Sequence, residues 1–357
     1  MKVLHVLAEL QFSGAELMLY AANDKFASSN LHTTVLSTGK SEGVYAAYFR
    51  SLQWDVSHIP FEKSFSFYSK LRRFIKQGRF DVIHIHTESA FIYNAVVAFI
   101  SGTKKIVRTV HNNFEFSGYL RLRRKAHHFI AQKLLKIDFI SISISVKNTE
   151  KNIYKTETTL INNWIDIDKF RKKQIDGTAA AADDIRIVSV GKCTSVKNHQ
   201  AILELVSLLK NSGHFCHYTH IGTGELEEEE KQWVRDNNLD ESVTYVGNTD
   251  RVNEYLANNN FYLMPSRFEG LGNACLEAMV SGIFCIVNDC PGLNTLISNG
   301  TTGLVVNFDD IPSVADQLIS VSKNKTQYDK IVKSAQSYVA EKYSLKNIDK
   351  MIEIYNS

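Results

Sequence analysis

Short apolar runs rich in β-branched residues alternate along the chain with longer segments whose apolar positions recur every three or four residues. In the first half the runs fall at 2–7, 32–37, 54–59, 81–86, 105–110 and 138–143, and each predicts a strand. Between them, 15–28, 66–77, 89–101 and 120–136 carry the helical period. Strand, helix, strand in repetition implies parallel strands covered by helices on both faces. The rhythm stops at 171–184, RKKQIDGTAAAADD, a polar, alanine-rich stretch that reads as an inter-domain linker. It restarts at 185–190 and continues through 216–221, 243–246, 260–264, 284–287 and 303–306. The pattern predicts an α/β chain of two Rossmann-like, doubly wound domains, 1–170 and 185–344, facing across a cleft. Such sheets bind ligands at the carboxyl ends of their strands, so the loops after strands are where chemistry is expected.

Length and composition agree. A chain of 357 residues is long for one domain and comfortable for two, and 44% hydrophobic with 22% charged residues is ordinary for a folded globular protein. The net charge of +3 does not point to nucleic acid. Its distribution is uneven. Lys70, Arg72, Arg73, Lys76 and Arg79 form one basic cluster, and Arg121, Arg123, Arg124, Lys125, Lys133 and Lys136 another. These read either as solvated helix faces or as a basic surface for an anionic membrane or a lipid-phosphate acceptor. Cys193, Cys216, Cys275, Cys285 and Cys290 form no C-x-x-C pair, which reads as buried free thiols in a reducing compartment. The opening MKVLHVLAEL has no apolar stretch of leader length, and no window approaches about 18 uninterrupted apolar residues. The expectation is a cytoplasmic protein, with peripheral contact to the inner face of the membrane as one use for the basic helices.

Five loops are weighed for candidate chemistry. After the run at 260–264 comes Glu269-Gly-Leu-Gly-Asn-Ala-Cys-Leu-Glu277, with a helix expected from about Asn273 to Gly282. Gly270 and Gly272 would let backbone amides approach a phosphate or a sugar hydroxyl. Glu277, one turn into the helix, could accept hydrogen bonds from a ribose diol; a helix with acidic residues near its start is the plainer alternative. After the run at 185–190, Gly191-Lys192-Cys-Thr-Ser-Val-Lys197 offers two ammonium groups suited to a diphosphate, or simply surface lysines. Ile221-Gly-Thr-Gly-Glu225 lacks the third glycine of a dinucleotide fingerprint, Glu227 standing near that place. In the first half, Gly14 follows the opening strand and His111 the fifth; His111 reads either as a structural histidine or as a cleft residue. His84 and His86 alternate on one strand, but the sequence supplies no third ligand, so no metal site is expected.

Taken together, these segments resemble glycosyltransferase family 4, of GT-B fold, over nearly the whole chain. The resemblance rests on MKVLHVLAELQFSGAEL, TVHN, SISISVKN, INNWIDIDKF, VGKCTSVKNH and PSRFEGLGNACLEAMVSG in that order, the last being the most specific. It implies a retaining hexosyltransferase with a nucleoside-diphosphate-sugar donor, UDP-sugar first among them, bound by the second domain. The first domain would take a glycan or lipid-linked acceptor for cell-surface polysaccharide synthesis, and the segment 345–357 would pack back on it. No metal or other cofactor is implied. By position Lys197 would hold the diphosphate, assisted by Lys192 and Gly191. Glu277 would bind the ribose and Glu269 the transferred sugar, with Gly270, Leu271, Gly272 and Asn273 presenting amides. Gly14 would lie against phosphate or acceptor, and His111 near the reaction centre. Lys192 stands where the family has arginine, losing its bidentate fork. Trp164 replaces a glycine. A sugar-nucleotide epimerase of the same fold, a non-catalytic scaffold subunit and a nicotinamide-dependent oxidoreductase are the rival readings.

Overall fold

The computed structural model describes residues 1–171 and 184–357, which divide into two compact units. Unit 1 comprises Met1–Trp164 and Leu345–Ser357; unit 2 comprises Ile165–Ser344. Apart from its two end residues, the predicted linker 171–184 lies outside the described residues.

Unit 1 is built on β1 (Lys2–Leu7), β2 (His32–Ser37), β3 (Asp55–His58), β4 (Val82–Ile85), β5 (Lys105–Val110), β6 (Asp138–Ser141) and β7 (Thr159–Leu160). They pair in parallel in the order β3-β2-β1-β4-β5-β6-β7. Five successive residues of β1 and all four of β4 are buried. Helices cover both faces of a parallel sheet, so its central strands are apolar without alternation. The final helix, Asn347–Asn356, belongs here: Ile348, Met351 and Tyr355 join Val3, Val35 and Val107 in the core. Trp164, the residue standing for a glycine, is buried, and its indole N–H donates to the Met18 carbonyl at 2.9 Å. A satisfied N–H lets so large a ring sit in the core, which is why the chain tolerates it there.

Unit 2 is built on β8 (Ile185–Val190), β9 (Cys216–Ile221), β10 (Val243–Gly247), β11 (Phe261–Met264), β12 (Phe284–Asn288) and β13 (Leu304–Val306), ordered β10-β9-β8-β11-β12-β13. The paired strands are again parallel. Ile187, Leu263 and Ile286 from the sheet meet Ile202, Val206 and Leu209 of the helix Gln200–Asn211 in the core. The unit begins at Ile165, five residues before the expected end of the first domain. There the Ile165 N–H donates to the Tyr343 carbonyl at 2.9 Å, and the helix Ile167–Phe170 packs on the helix Asn273–Ser281.

In each sheet the chain runs outward from one central strand in both directions. β8 lies between β9 and β11, and β1 between β2 and β4. These are the switch points at which doubly wound sheets open a crevice at the strands' carboxyl ends.

Candidate functional site

The loops after β8 and β11 meet at the switch point of unit 2. The Arg267 N–H donates to the Val196 carbonyl at 2.8 Å, and Lys197 Nζ donates to Glu269 Oε1 at 2.5 Å. The Lys197 stem runs over Gly191: a Cβ added to that glycine would stand 3.5 Å from Lys197 Cδ and 3.7 Å from His199 Nε2. Both partners of the ion pair keep some exposure, 25% for the Lys197 side chain and 12% for Glu269, so the pair can open toward a bound anion. Lys192 is exposed on the same loop. Among the described residues it makes no hydrogen bond or ion pair with Lys197 or Glu269.

Glycines hold these turns together. Gly222, at φ +134°, has no room for a Cβ, which would lie 2.0 Å from the Gly191 carbonyl oxygen. A Cβ on Gly224 would lie 2.3 Å from the Cys193 oxygen, and one on Gly292 would lie 2.3 Å from the Glu269 oxygen. The segment that failed as a dinucleotide fingerprint is thus a packing device: its glycines bring the turn after β9 backbone to backbone with the loop after β8. Sequence reading missed this packing role.

The predicted helix runs Asn273–Ser281, entered through Gly272 at φ 87° and closed by Gly282 at φ 79°. Glycine adopts both left-handed conformations without the Cβ penalty that other residues meet. Leu271 is buried, so its side chain packs inside the unit. Glu277 is 7% exposed, and burial pushes its carboxyl up to about 7, opposed by the charge of Lys169. Burial pushes the Tyr262 phenol well above its ordinary value, and the nearby Cys275, Cys285, Glu269 and Glu277 add to the shift. Lys169 was missed as a neighbour of Glu277 because it lies 108 positions earlier, at the very start of unit 2.

Unit 1 places a different set of groups at its switch point. His5 Nδ1 and His86 Nε2 are hydrogen-bonded at 3.1 Å, and His86 Nδ1 and His111 Nε2 at 3.0 Å. His84 bonds Tyr355 Oη at 2.6 Å and Thr109 Oγ1 at 2.7 Å. Burial holds His5 and His111 down at about 3 and pushes His84 and His86 the same way, with Arg108 adding to the effect on the last three. The imidazoles are therefore neutral hydrogen-bonding groups at neutral pH. His86, His111, Met18, Thr109 and Trp164 line a small, mostly apolar pocket. Gly14 starts the helix Gly14–Ala21, where Ser13 Oγ and the Gln11 N–H both donate to the Glu16 carboxylate.

Two expectations change. His84 and His86 do have a third histidine beside them, His5, because β1 and β4 pair with His5 opposite His84; the three offer ligand atoms within 4.8 Å of one another. Arg124 is not part of a surface cluster. It is buried, donates to Glu88 and pairs with Glu150 at 3.0 Å, since the helix Gly118–Phe129 turns that face inward.

Residues 12–169 match the family described as Glycosyltransferase Family 4, and residues 170–338 match Glycosyl transferases group 1. The chain is 25% identical over 307 residues to the UDP-Gal:alpha-D-GlcNAc-diphosphoundecaprenol alpha-1,3-galactosyltransferase of Escherichia coli, covering 80% of this chain and 77% of that one. It is 24% identical over 266 residues to an N-acetylgalactosaminyltransferase of Campylobacter jejuni that acts on a diphospho-undecaprenol-linked sugar, covering 68% and 71%. Anabaena HepE, solved with UDP-glucose, superposes with a TM-score of 0.82 at 16% identity, over 99% of this chain and 98% of that one. At that identity the likeness establishes the fold.

Proposed function

The chain belongs to the glycosyltransferases of family 4 and group 1 and has the GT-B fold, and from this premise we propose that it transfers a sugar from a UDP-sugar to a lipid-linked saccharide, with retention of anomeric configuration. The observation that carries the donor assignment is the meeting of Lys197 and Glu269 at the β8–β11 switch point. The ammonium is held by a carboxylate in the resting protein and is exchanged onto the donor diphosphate when it binds. Departure of the nucleoside diphosphate builds charge on its β-phosphate. Lys197, with Lys192 and the amides around Gly191 and Gly272, stabilises that charge as it develops, which lowers the barrier to breaking the sugar–phosphate bond. Glu269, released from Lys197, contacts the transferred sugar, and Glu277 accepts hydrogen bonds from the ribose diol. No protein nucleophile is required: the acceptor hydroxyl attacks from the face the phosphate leaves, and the phosphate takes its proton.

Acceptor binding is assigned to unit 1, with Gly14 and His111 as its contacts. A lipid carrier is supported by the helix Gly118–Phe129, where Tyr119, Leu122 and Phe129 are 74%, 65% and 62% exposed beside the exposed Arg121 and Arg123. Large exposed apolar side chains interleaved with arginine suit the boundary of an anionic bilayer.

The test is a thermal-shift panel of nucleoside-diphosphate sugars, followed by transfer to diphospho-polyprenyl saccharides with the product anomer read by NMR. UDP-sugars are expected to raise the melting temperature more than GDP- or ADP-sugars. An inverted product, or release of an altered sugar nucleotide without acceptor, would overturn the proposal.

A further inference from the structure

Behind the loop after β8 lies a second cluster, one that sugar transfer does not use. Cys193 sits on that loop, His199 just before the helix Gln200–Asn211, His220 on β9, and Glu230 within the helix Glu227–Asp236. All four are buried. One ligand atom from each of Cys193, His199 and His220 lies within 4.8 Å of the other two. Cys193 Sγ is 3.2 Å from His220 Nε2, and Glu230 Oε1 is 3.5 Å from His199 Nδ1. A tetrahedral zinc, with Zn–S about 2.3 Å and Zn–N about 2.0 Å, spaces its ligand atoms roughly 3.3–3.6 Å apart. The Cys193–His220 and His199–Glu230 spacings lie close to that range, and Cys193, His199 and His220 are near enough to one another for a single ion to draw them together.

Two further observations point to a ligand. His199 Nδ1, Glu230 Oε2 and the neighbouring Tyr245 hydroxyl are buried without a hydrogen-bond partner among the described residues. Buried polar atoms of native proteins are almost always satisfied, so three together mark a place where a bonding partner belongs. Moreover, His220 is already oriented as a ligand would be. Its Nδ1 is held by Ser189 Oγ at 3.0 Å and Tyr218 Oη at 3.2 Å, leaving Nε2 aimed at the thiol. Outer-sphere hydrogen bonds of this kind fix the tautomer of metal-binding histidines.

We propose that Cys193, His199, His220 and Glu230 bind one divalent transition metal, zinc by the softness and geometry of the set. Burial and the Glu230 charge raise the free thiol's pKa, so coordination replaces its proton, which passes to solvent. The site joins β9 and the helix Glu227–Asp236 to the loop carrying Lys192 and Lys197. If that loop holds the donor, the metal fixes its backbone without touching the substrate. That last clause rests on the donor reading; metal binding does not.

The experiment uses the full chain, stripped with a chelator and reloaded with Co²⁺ or Zn²⁺, then desalted. One equivalent of metal is expected to remain, and the cobalt form is expected to show tetrahedral visible bands with a thiolate-to-cobalt charge-transfer band. Cys193→Ser should abolish the charge-transfer band, while Cys290→Ser should keep it. Cobalt on His5, His84 and His86 would give no thiolate band. Absence of that band in the unaltered chain overturns the proposal, as does its survival in Cys193→Ser or its loss in Cys290→Ser. The first of these outcomes needs no variant to fold. Failure of the UDP-sugar thermal shift would leave the cobalt result standing, so the two readings fail separately.

Discussion

Two units of the same architecture end their central strands in opposite chemistry. Unit 1 lines up imidazoles that burial keeps uncharged, His5 to His86 to His111. Unit 2 sets an ammonium against a carboxylate and keeps a second carboxylate, Glu277, near neutrality. A parallel sheet supplies the crevice in either case, and the side chains at the strand ends decide what can occupy it. Neutral donors and acceptors suit hydroxyl groups, which carry no charge to balance. Charged groups suit a pyrophosphate, which does. The proposed division of acceptor and donor between the units rests on that contrast.

The contrast breaks most visibly at Lys197. Lys197→Ala is expected to lower the transfer rate about 100- to 1000-fold, the range for removing one preorganised group from developing charge. Circular dichroism should be unchanged, because the ammonium is a quarter exposed and supports no core. Lys192→Ala, at an exposed side chain, should cost no more than about 10-fold. Equal losses in steady-state kinetics would place the two lysines on one footing and remove the special role given to the Lys197–Glu269 pair.

Acid should separate the units next. A histidine held at about 3 when folded, against about 6.5 unfolded, stabilises the protein above pH 6.5, and that stabilisation is lost as pH falls. For His5 alone the loss between pH 7 and pH 5 is about 2 kcal/mol. Unit 1 has His84, His86 and His111 shifted in the same direction. Unit 2 has His220, at about 3, opposed by Glu277. A carboxyl raised to about 7 destabilises the fold at high pH, and relief comes as pH falls from 7 toward 4.5. Hydrogen exchange at pH 5, corrected for intrinsic rates, should therefore show unit 1 opening while unit 2 stays protected. Equal loss in both would contradict the burial assigned to the histidines.

The smallest effect concerns Glu277 itself. If its carboxylate accepts from a ribose diol, donor affinity should rise about 10-fold between pH 6 and pH 8, following ionisation around pH 7. In Glu277→Gln the dissociation constant, measured by calorimetry, should be flat over that range. A pH dependence surviving in Glu277→Gln would move the titration to another group.

The strands were legible because both faces of each parallel sheet are covered, so β1 and β8 read as near-continuous apolar runs. Only β7, two residues long in polar surroundings, was too short to show a period. Lys197, Glu269 and Glu277 were legible as charged residues in or just beyond loops that follow strands. What joins them was less so. Lys169 and Glu277 are brought together by tertiary folding, and no local spacing announces it. The same holds for Cys193, His199, His220 and Glu230, drawn from a loop, a helix start, a strand and a second helix without any short ligand motif. Arg124 misled for the converse reason: on a helix dense in basic residues, composition cannot tell the one that points inward.

The bare backbone contact between Gly222 and Gly191 has a mechanical consequence. With no side chain as a cushion, a displacement of one turn by a few tenths of an ångström must be taken up by the other. The tips of β8 and β9 therefore recoil as a single piece, and a side chain added at Gly222 would push them apart.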